Sequence, residues 1–226
     1  MKLGVLCSGG KDSLFACWKA MQHETVSCLI SVISANEDSY MFHTPNIRLT
    51  RLQAEAAGLP LVEIETAGEK EEELADLEDA IRRSVEAYGI EGIVTGAILS
   101  VYQASRVQRI CRELGLWCFN PLWHTDQDAY MEELIGAGFE VLIAGVFSAP
   151  FDESWLGRRM DHAMLAELRS IAEKWHITLT GEGGELETFV ADAPFFSRAI
   201  TVTRAHTAYR NHNGRYLIDQ AELTAK

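Results

Sequence analysis

Four times along the chain an amphipathic stretch ends at a glycine and a short apolar run follows. Ala54-Glu55-Ala56-Ala57-Gly58 precedes Leu61-Val62-Glu63-Ile64, and Glu86-Ala87-Tyr88-Gly89 precedes Ile93-Val94-Thr95. Arg112-Glu113-Leu114-Gly115 precedes Leu116-Trp117-Cys118-Phe119, and Ala137-Gly138 precedes Val141-Leu142-Ile143. A glycine just beyond a helix adopts the left-handed conformation that closes its last turn. Helix, glycine, strand, repeated, is the sequence form of an α/β protein with a mostly parallel sheet.

Strands are expected near 2–7, 26–34, 60–65, 92–95, 116–119 and 140–146, with another near 198–204. Leu74, Leu77, Ile81, Val85 and Tyr88 recur at three- and four-residue steps and make one helix face. Glu71, Glu72 and Glu73 stand at its start, where the helix dipole favours negative charge. Met164, Leu168, Ile171 and Trp175 make a similar stripe. After about Trp175 the alternation gives out, and the remainder reads as β-rich with glycine loops. The expected organisation is a nucleotide-type α/β domain over 1–125 and a smaller α+β domain over 126–226. No proline- or serine-rich linker marks the join.

The 226 residues carry 20 Lys+Arg against 33 Asp+Glu, a net charge of −13. That balance argues against sequence-independent binding to nucleic acid, which needs a basic surface. The apolar start, Met1 to Leu6, is interrupted at once by Gly9-Gly10-Lys11-Asp12, unlike a signal peptide or a membrane span. A cytoplasmic protein with no membrane partner is expected. The five cysteines are odd in number and include no C-x-x-C, so neither a disulfide framework nor a zinc ribbon is expected. Cys111 and Cys118 read as packing, and Trp123, Trp155 and Trp175 as core.

The first expected strand runs into Ser8-Gly9-Gly10-Lys11-Asp12-Ser13, and Leu14 to Met21 reads as a helix. A glycine-rich turn at a helix N-terminus is an anion site, because backbone N–H groups and the dipole both favour negative charge. Lys11 adds a point charge. Asp12 and Ser13 can cap the helix, and Asp12 is a candidate ligand for Mg²⁺. The turn is not a Walker A loop, since Asp12 and not Ser or Thr follows the lysine, and it is not G-x-G-x-x-G. Farther on, Gly181-Glu182-Gly183-Gly184-Glu185-Leu186-Glu187-Thr188 packs three carboxylates and three glycines into eight residues. It reads as a tight, exposed loop suited to a divalent cation, an ammonium group or a quaternary amine.

Ser-Gly-Gly-Lys-Asp-Ser resembles the PP-loop of the ATP pyrophosphatase superfamily, a fold of the HUP-like parallel-sheet type. With Glu-Gly-Gly-Glu-Leu-Glu-Thr the resemblance narrows to the diphthine–ammonia ligase family. Ser39 to Asn46, Gly96 to Gln103 with Arg106, Pro121-Leu122-Trp123 and Asp152 to Arg158 are similar to family segments as well, so the likeness spans residue 1 to about 190. Ala149-Pro150-Phe151 departs from it where a glycine-containing turn is expected.

The resemblance implies an amide synthesis. ATP adenylates the carboxylate of diphthine, a modified histidine on translation elongation factor 2, and ammonia displaces AMP. The chain is short for an added glutaminase, and no Cys–His nucleophile pair is evident, so free ammonium is the expected nitrogen source. On these grounds the catalytic roles fall on Lys11 and Asp12. Ser8, Gly9, Gly10, Lys11, Asp12, Ser13, Met41, His43 and Gly96 are assigned to the nucleotide, with Mg²⁺ on Asp12. Tyr40, Tyr102, Arg106, Glu182, Gly183, Gly184, Glu185, Glu187 and Thr188 are assigned to the substrate. Tyr40, Tyr102 or Trp123 can form an aromatic cage for the trimethylammonium group of diphthine. His43 reads equally as a nucleotide contact, a base or a structural histidine, and a surface role for Arg106 stays open.

Three other readings remain at this stage: adenylation of another carboxylate, adenylation of an RNA base, and a non-catalytic ATP-binding protein. Apolar β-rich C-terminal segments often pair, so a homodimer is compatible with the sequence without being fixed by it.

Overall fold

The computed structural model describes residues 1–35, 45–69 and 72–226, with the side chain of Glu72 left out. Tyr40, Met41 and His43 therefore lie outside the described residues.

The first half builds a parallel sheet. Its strands are β1 (Lys2–Leu6), β2 (Thr25–Ser34), β3 (Leu61–Thr66), β4 (Gly92–Val94) and β5 (Trp117–Phe119), in the order β3-β2-β1-β4-β5. Every neighbouring pair is parallel. The connecting helices are α1 (Lys11–Met21), α2 (Thr50–Ala57), α3 (Glu72–Tyr88) and α4 (Val101–Leu114). The glycines that punctuate the sequence do close their helices: Gly58, Gly89, Gly115 and Gly138 all have positive φ.

The chain first steps outward from β1 to β2 and β3, then returns to the other side of β1 for β4 and β5. The loops after β1 and β4 consequently leave in opposite directions and open a crevice between them. Ligands of open α/β sheets bind at that switch point.

The second half adds α5 (Gln127–Gly136), β6 (Glu140–Val146), α6 (His162–Trp175), β7 (Leu186–Asp192), β8 (Ala199–Arg210) and β9 (Asn213–Thr224). Its four strands form a separate antiparallel sheet, ordered β7-β6-β9-β8. β6 is where the spacing puts it. β7 and β9 fill out the expected β-rich region, and β8 runs well past the expected end at 204.

Two cores hold the layers together. One lies between the parallel sheet and α3 and α4, where Ile30, Val32, Leu77, Ile81, Ile93 and Val107 meet. The other covers the opposite face and is continuous into the second sheet. There Val5, Leu14 and Phe15 join Tyr130, Ile143, Leu168 and Phe189. The Phe15 ring lies 5.1 Å from Tyr130 and 5.4 Å from Phe139, centroid to centroid. Trp155 is buried in this core, at 6% exposure, whereas Trp175 is 47% exposed at the end of α6 and is not a core residue. All five cysteines are free of disulfides. No helix among the described residues is long and apolar enough to cross a membrane.

Candidate active site

The turn after β1 is shaped by two adjacent glycines. Gly9 has φ +81°, and a Cβ there would come within 2.8 Å of Gln53 Oε1. Gly10 is the N-cap of α1 and makes no side-chain cap bond. The helix starts at Lys11, three residues earlier than the apolar periodicity indicates. Asp12 and Ser13 are therefore inside the first turn and do not cap it. Ser13 Oγ donates to the Gly10 carbonyl at 3.0 Å and accepts from Ser8 N at 3.3 Å. The N–H groups of Asp12 and Ser13 make no hydrogen bond among the described residues. They are the unpaired donors that a helix start presents to an anion.

Lys11 is only 2% exposed. Its Nζ donates to both Asp12 carboxylate oxygens at 2.9 Å and to the Thr180 carbonyl at 2.5 Å. The Tyr130 hydroxyl, on α5, donates to Asp12 Oδ1 at 2.8 Å. Burial and the charge of Asp12 push the Tyr130 phenol well above its ordinary range, so it remains a donor at neutral pH.

The second sheet supplies the facing wall. Lys11 N donates to Thr188 Oγ1 at 3.0 Å, and Val190 N donates to the Gly9 carbonyl at 3.0 Å. The buried Gln53 amide of α2 joins both, donating to the Gly9 carbonyl at 2.9 Å and the Val190 carbonyl at 2.8 Å. The third wall is the loop after β4. Gly96 packs so closely on α1 that a Cβ would come 2.6 Å from the Asp12 carbonyl carbon. Glu182 then clamps this loop, accepting from the N–H groups of Ile98 at 3.2 Å and Leu99 at 3.3 Å.

These walls enclose a cavity of about 390 Å³. At one end are Ser8, Gly10, Asp12, Ser13 and Gly96; Glu182, Gly183, Gly184, Glu187 and Thr188 form a side. Ile30, Val32, Leu77 and Val107 give it an apolar flank. The acidic segment is not a solvated loop. Leu186 onward is strand β7, and each glutamate has its own setting. Glu185 turns onto Thr178, accepting from its N at 3.1 Å and its Oγ1 at 3.0 Å. The Glu187 carboxyl makes no hydrogen bond among the described residues, and the residue lines the cavity. Burial raises its carboxyl to about 7; Asp12 adds to the rise and Lys11 opposes it. Glu182 is raised by burial and by Asp12, against the pull of its two backbone donors.

Comparison with known proteins bears on this constellation. The diphthamide synthase N-terminal domain matches residues 1–118, and the diphthamide synthase C-terminal domain matches residues 126–224. The chain belongs to the diphthamide synthase family. Proteins named diphthine–ammonia ligase share its sequence: that of Homo sapiens is 32% identical over 89% of this chain and 83% of its own length. The Mus musculus protein of that name is 33% identical with the same coverage, and the Danio rerio protein is 31% identical over 92% of this chain and 88% of its own. The family is one of ligases, and this member is an enzyme. A solved structure described as a predicted subunit of tRNA methyltransferase from Methanocaldococcus jannaschii is 17% identical, with a TM-score of 0.47 over 85% of this chain and 97% of that one.

Within this diphthamide synthase fold, most of the residues singled out from sequence come together. Gly9 and Lys11 sit just behind the cavity lining, and Glu185 is turned away from it. Tyr102 and Arg106 do share a face of α4, with the guanidinium carbon 3.4 Å from the ring centroid, but neither lines the cavity. Their neighbours Ser100 and Gln103 do. Sequence reasoning missed Tyr130, Gln53 and the Thr180 carbonyl. Nothing local marks a tyrosine, a glutamine or a backbone oxygen as a partner of a turn more than forty positions away.

Proposed function

We propose that this enzyme joins ammonium to the carboxylate of diphthine on translation elongation factor 2, using ATP and releasing AMP and pyrophosphate. The observation that supports this most is the meeting, in one cavity, of the phosphate-type turn Ser8–Ser13 with the acidic wall Glu182–Thr188. The names of its relatives support the same chemistry. A carboxylate is a poor acyl donor until one oxygen becomes a good leaving group. The turn is suited to that activation: the N–H groups of Asp12 and Ser13 hold the departing phosphates, and the buried Lys11 ammonium adds positive charge behind them, while the carboxylate attacks the α-phosphorus. The resulting acyl-adenylate releases AMP when ammonia attacks its carbonyl. The apolar flank of Ile30, Val32, Leu77 and Val107 suits a purine, and the cavity volume is ordinary for a small-molecule site.

Among the described residues no three His, Cys, Asp or Glu side chains come together to chelate a metal unaided. That donor set fits Mg²⁺, which is commonly held by one or two carboxylates and substrate phosphates. Asp12 is the carboxylate that would hold it, and the ion would offset charge on the phosphates. The acidic wall, with Glu187 unpaired, suits a cation, and ammonium is the cation the reaction needs. We assign residues 1–125 to the nucleotide and 126–226 to the acidic wall and substrate contacts. A cytoplasmic location follows from a translation factor as substrate.

The test is incubation with ATP, Mg²⁺, ammonium and elongation factor 2 bearing diphthine. AMP release together with the mass change from acid to amide on the factor is the expected outcome. Lys11→Ala lowers both by at least about a hundredfold. ATP binding without either product overturns the reading.

A further inference from the structure

One stretch of this acidic chain has the opposite sign. Between Asp192 and Asp219 stand four arginines, Arg198, Arg204, Arg210 and Arg215, and no carboxylate, in a chain of net charge −13. The stretch forms β8 and the first half of β9, the hairpin at the outer edge of the second sheet.

The strand register decides which way its charges face. Gly145 of β6 pairs with Glu187 on one side and with Arg215 on the other. Paired residues project on the same face of a sheet, as do residues two apart on a strand. Arg215 pairs in turn with Ala208, which His206 and Arg210 flank two positions away. The face that offers Glu187 to the cavity thus continues over Gly145 to Arg215, Arg210 and His206. Phe147 fills the space above Gly145, where a Cβ would come 2.6 Å from its ring, and the Arg215 guanidinium lies 5.7 Å from that ring. Phe147 N donates to the Glu185 carbonyl at 3.0 Å, which fastens this row to the acidic wall. On the other flank Asn46 donates to the Tyr216 carbonyl and accepts from Ile218 N, both at 2.9 Å, beside Ile47 of the cavity. The hairpin is therefore built onto the rim of the site.

Its charge is only partly offset: Arg198, just before β8, pairs with Glu55 at 2.8 Å. Arg204 and His206 are 63% and 55% exposed and share one carboxylate, Asp219. Arg210 is exposed and forms no ion pair among the described residues.

We propose that this hairpin face docks the protein that carries the reacting carboxylate, by receiving an acidic patch beside the modified side chain. The proposal rests on the substrate reading above. A cavity of about 390 Å³ admits one side chain, so the body of a protein substrate must rest on the rim. The net charge of −13 opposes an acidic partner, the hairpin's arginines attract one, and attraction of that kind sets encounter rate and orientation.

The double variant His206→Glu/Arg210→Glu tests it, in steady-state amidation of elongation factor 2. The expected result is a KM for the factor about tenfold higher, because attraction becomes repulsion at two exposed positions, with kcat and the KM for ATP unchanged. The wild-type KM rises with salt, and that dependence is lost in the variant. His206→Lys/Arg210→Lys keeps the KM within about twofold of wild type, since charge and not fork geometry is what the rim supplies. An unchanged KM overturns the docking surface. So does a variant that changes only sedimentation mass, or only RNA binding, because a second copy or a nucleic acid is then the occupant. Failure of the wild type to form any amide overturns the substrate reading itself, a result distinct from amide formed at an unaltered KM.

Discussion

Asp12 is held from two sides, by the Lys11 ammonium and by a phenol that arrives from 118 residues away. The Lys11 ammonium reaches both Asp12 oxygens, and the Tyr130 hydroxyl adds a further donor to Oδ1 that fixes the orientation of the carboxylate. Tyr130→Phe removes a hydrogen bond to a charged acceptor, commonly about 1.5–3 kcal/mol. The expected outcome is a fall in kcat of about tenfold, a shift to higher Mg²⁺ requirement and an unchanged KM for the protein substrate. Initial rates over a Mg²⁺ series check it. Glu187 gives a second prediction. Its carboxyl sits near 7, above the ordinary glutamate value. Between those values the native chain keeps a proton that the unfolded chain has released, so stability falls as pH rises through that window. Glu187→Gln removes the penalty, discounted because the carboxylate opens onto a cavity. It melts about 2–5 °C above wild type at about pH 8 and level with it at about pH 4, as calorimetry can read. At this scale the sequence was informative where chemistry is packed into a local string, as in Ser8–Ser13. It was silent on Tyr130 and Gln53, whose roles exist only through contacts across the fold.

The loops after β1 and β4 work as one element, because Gly96 lets their backbones touch. Gly96→Ala places a methyl carbon 2.6 Å from the Asp12 carbonyl carbon, and backbone cannot yield as a side chain tip can. Either loop must move, so ATP affinity falls at least about tenfold while the helix content of α1 and α4 is kept. Equilibrium ATP binding and circular dichroism together check this. The parallel half was legible because helix, glycine and buried strand each leave a strong local signal, and Gly58 and Gly115 stand at the helix ends they announce. The antiparallel half was legible as β-rich, with β6 and the start of β8 in place, but β7, β9 and the pairing were not. β8 and β9 are largely exposed or half-buried, so their apolar alternation is weak. Their turn sits on Asn211 and His212, both at positive φ, while the more obvious turn pair Asn213-Gly214 lies inside β9. The three glycines of 181–184 advertise a loop, and they hide that β7 begins at Leu186.

Across the whole molecule, the two sheets share one core and one site. Phe15 of α1 packs on Tyr130 and Phe139, and the reactive turn is bonded directly to β7. Nothing in the local pattern of 1–125 shows that its phosphate-type turn depends on residues 178–190. That dependence reaches into folding kinetics. The bond from Lys11 N to Thr188 Oγ1 spans 177 positions, and the one from Lys11 Nζ to Thr180 spans 169. Contacts so distant along a chain form late, since loop closure must precede them. The site around Ser8–Ser13 is finished only when Thr180, Thr188 and Val190 have docked against the turn. Ligand that recognises the finished pocket stabilises the native state and not the folding barrier. In stopped-flow experiments ATP should leave the refolding rate within about twofold of its ligand-free value and slow unfolding in proportion to its occupancy. On the proposed function, ATP is a late lock on a completed structure, and not a template around which the chain assembles.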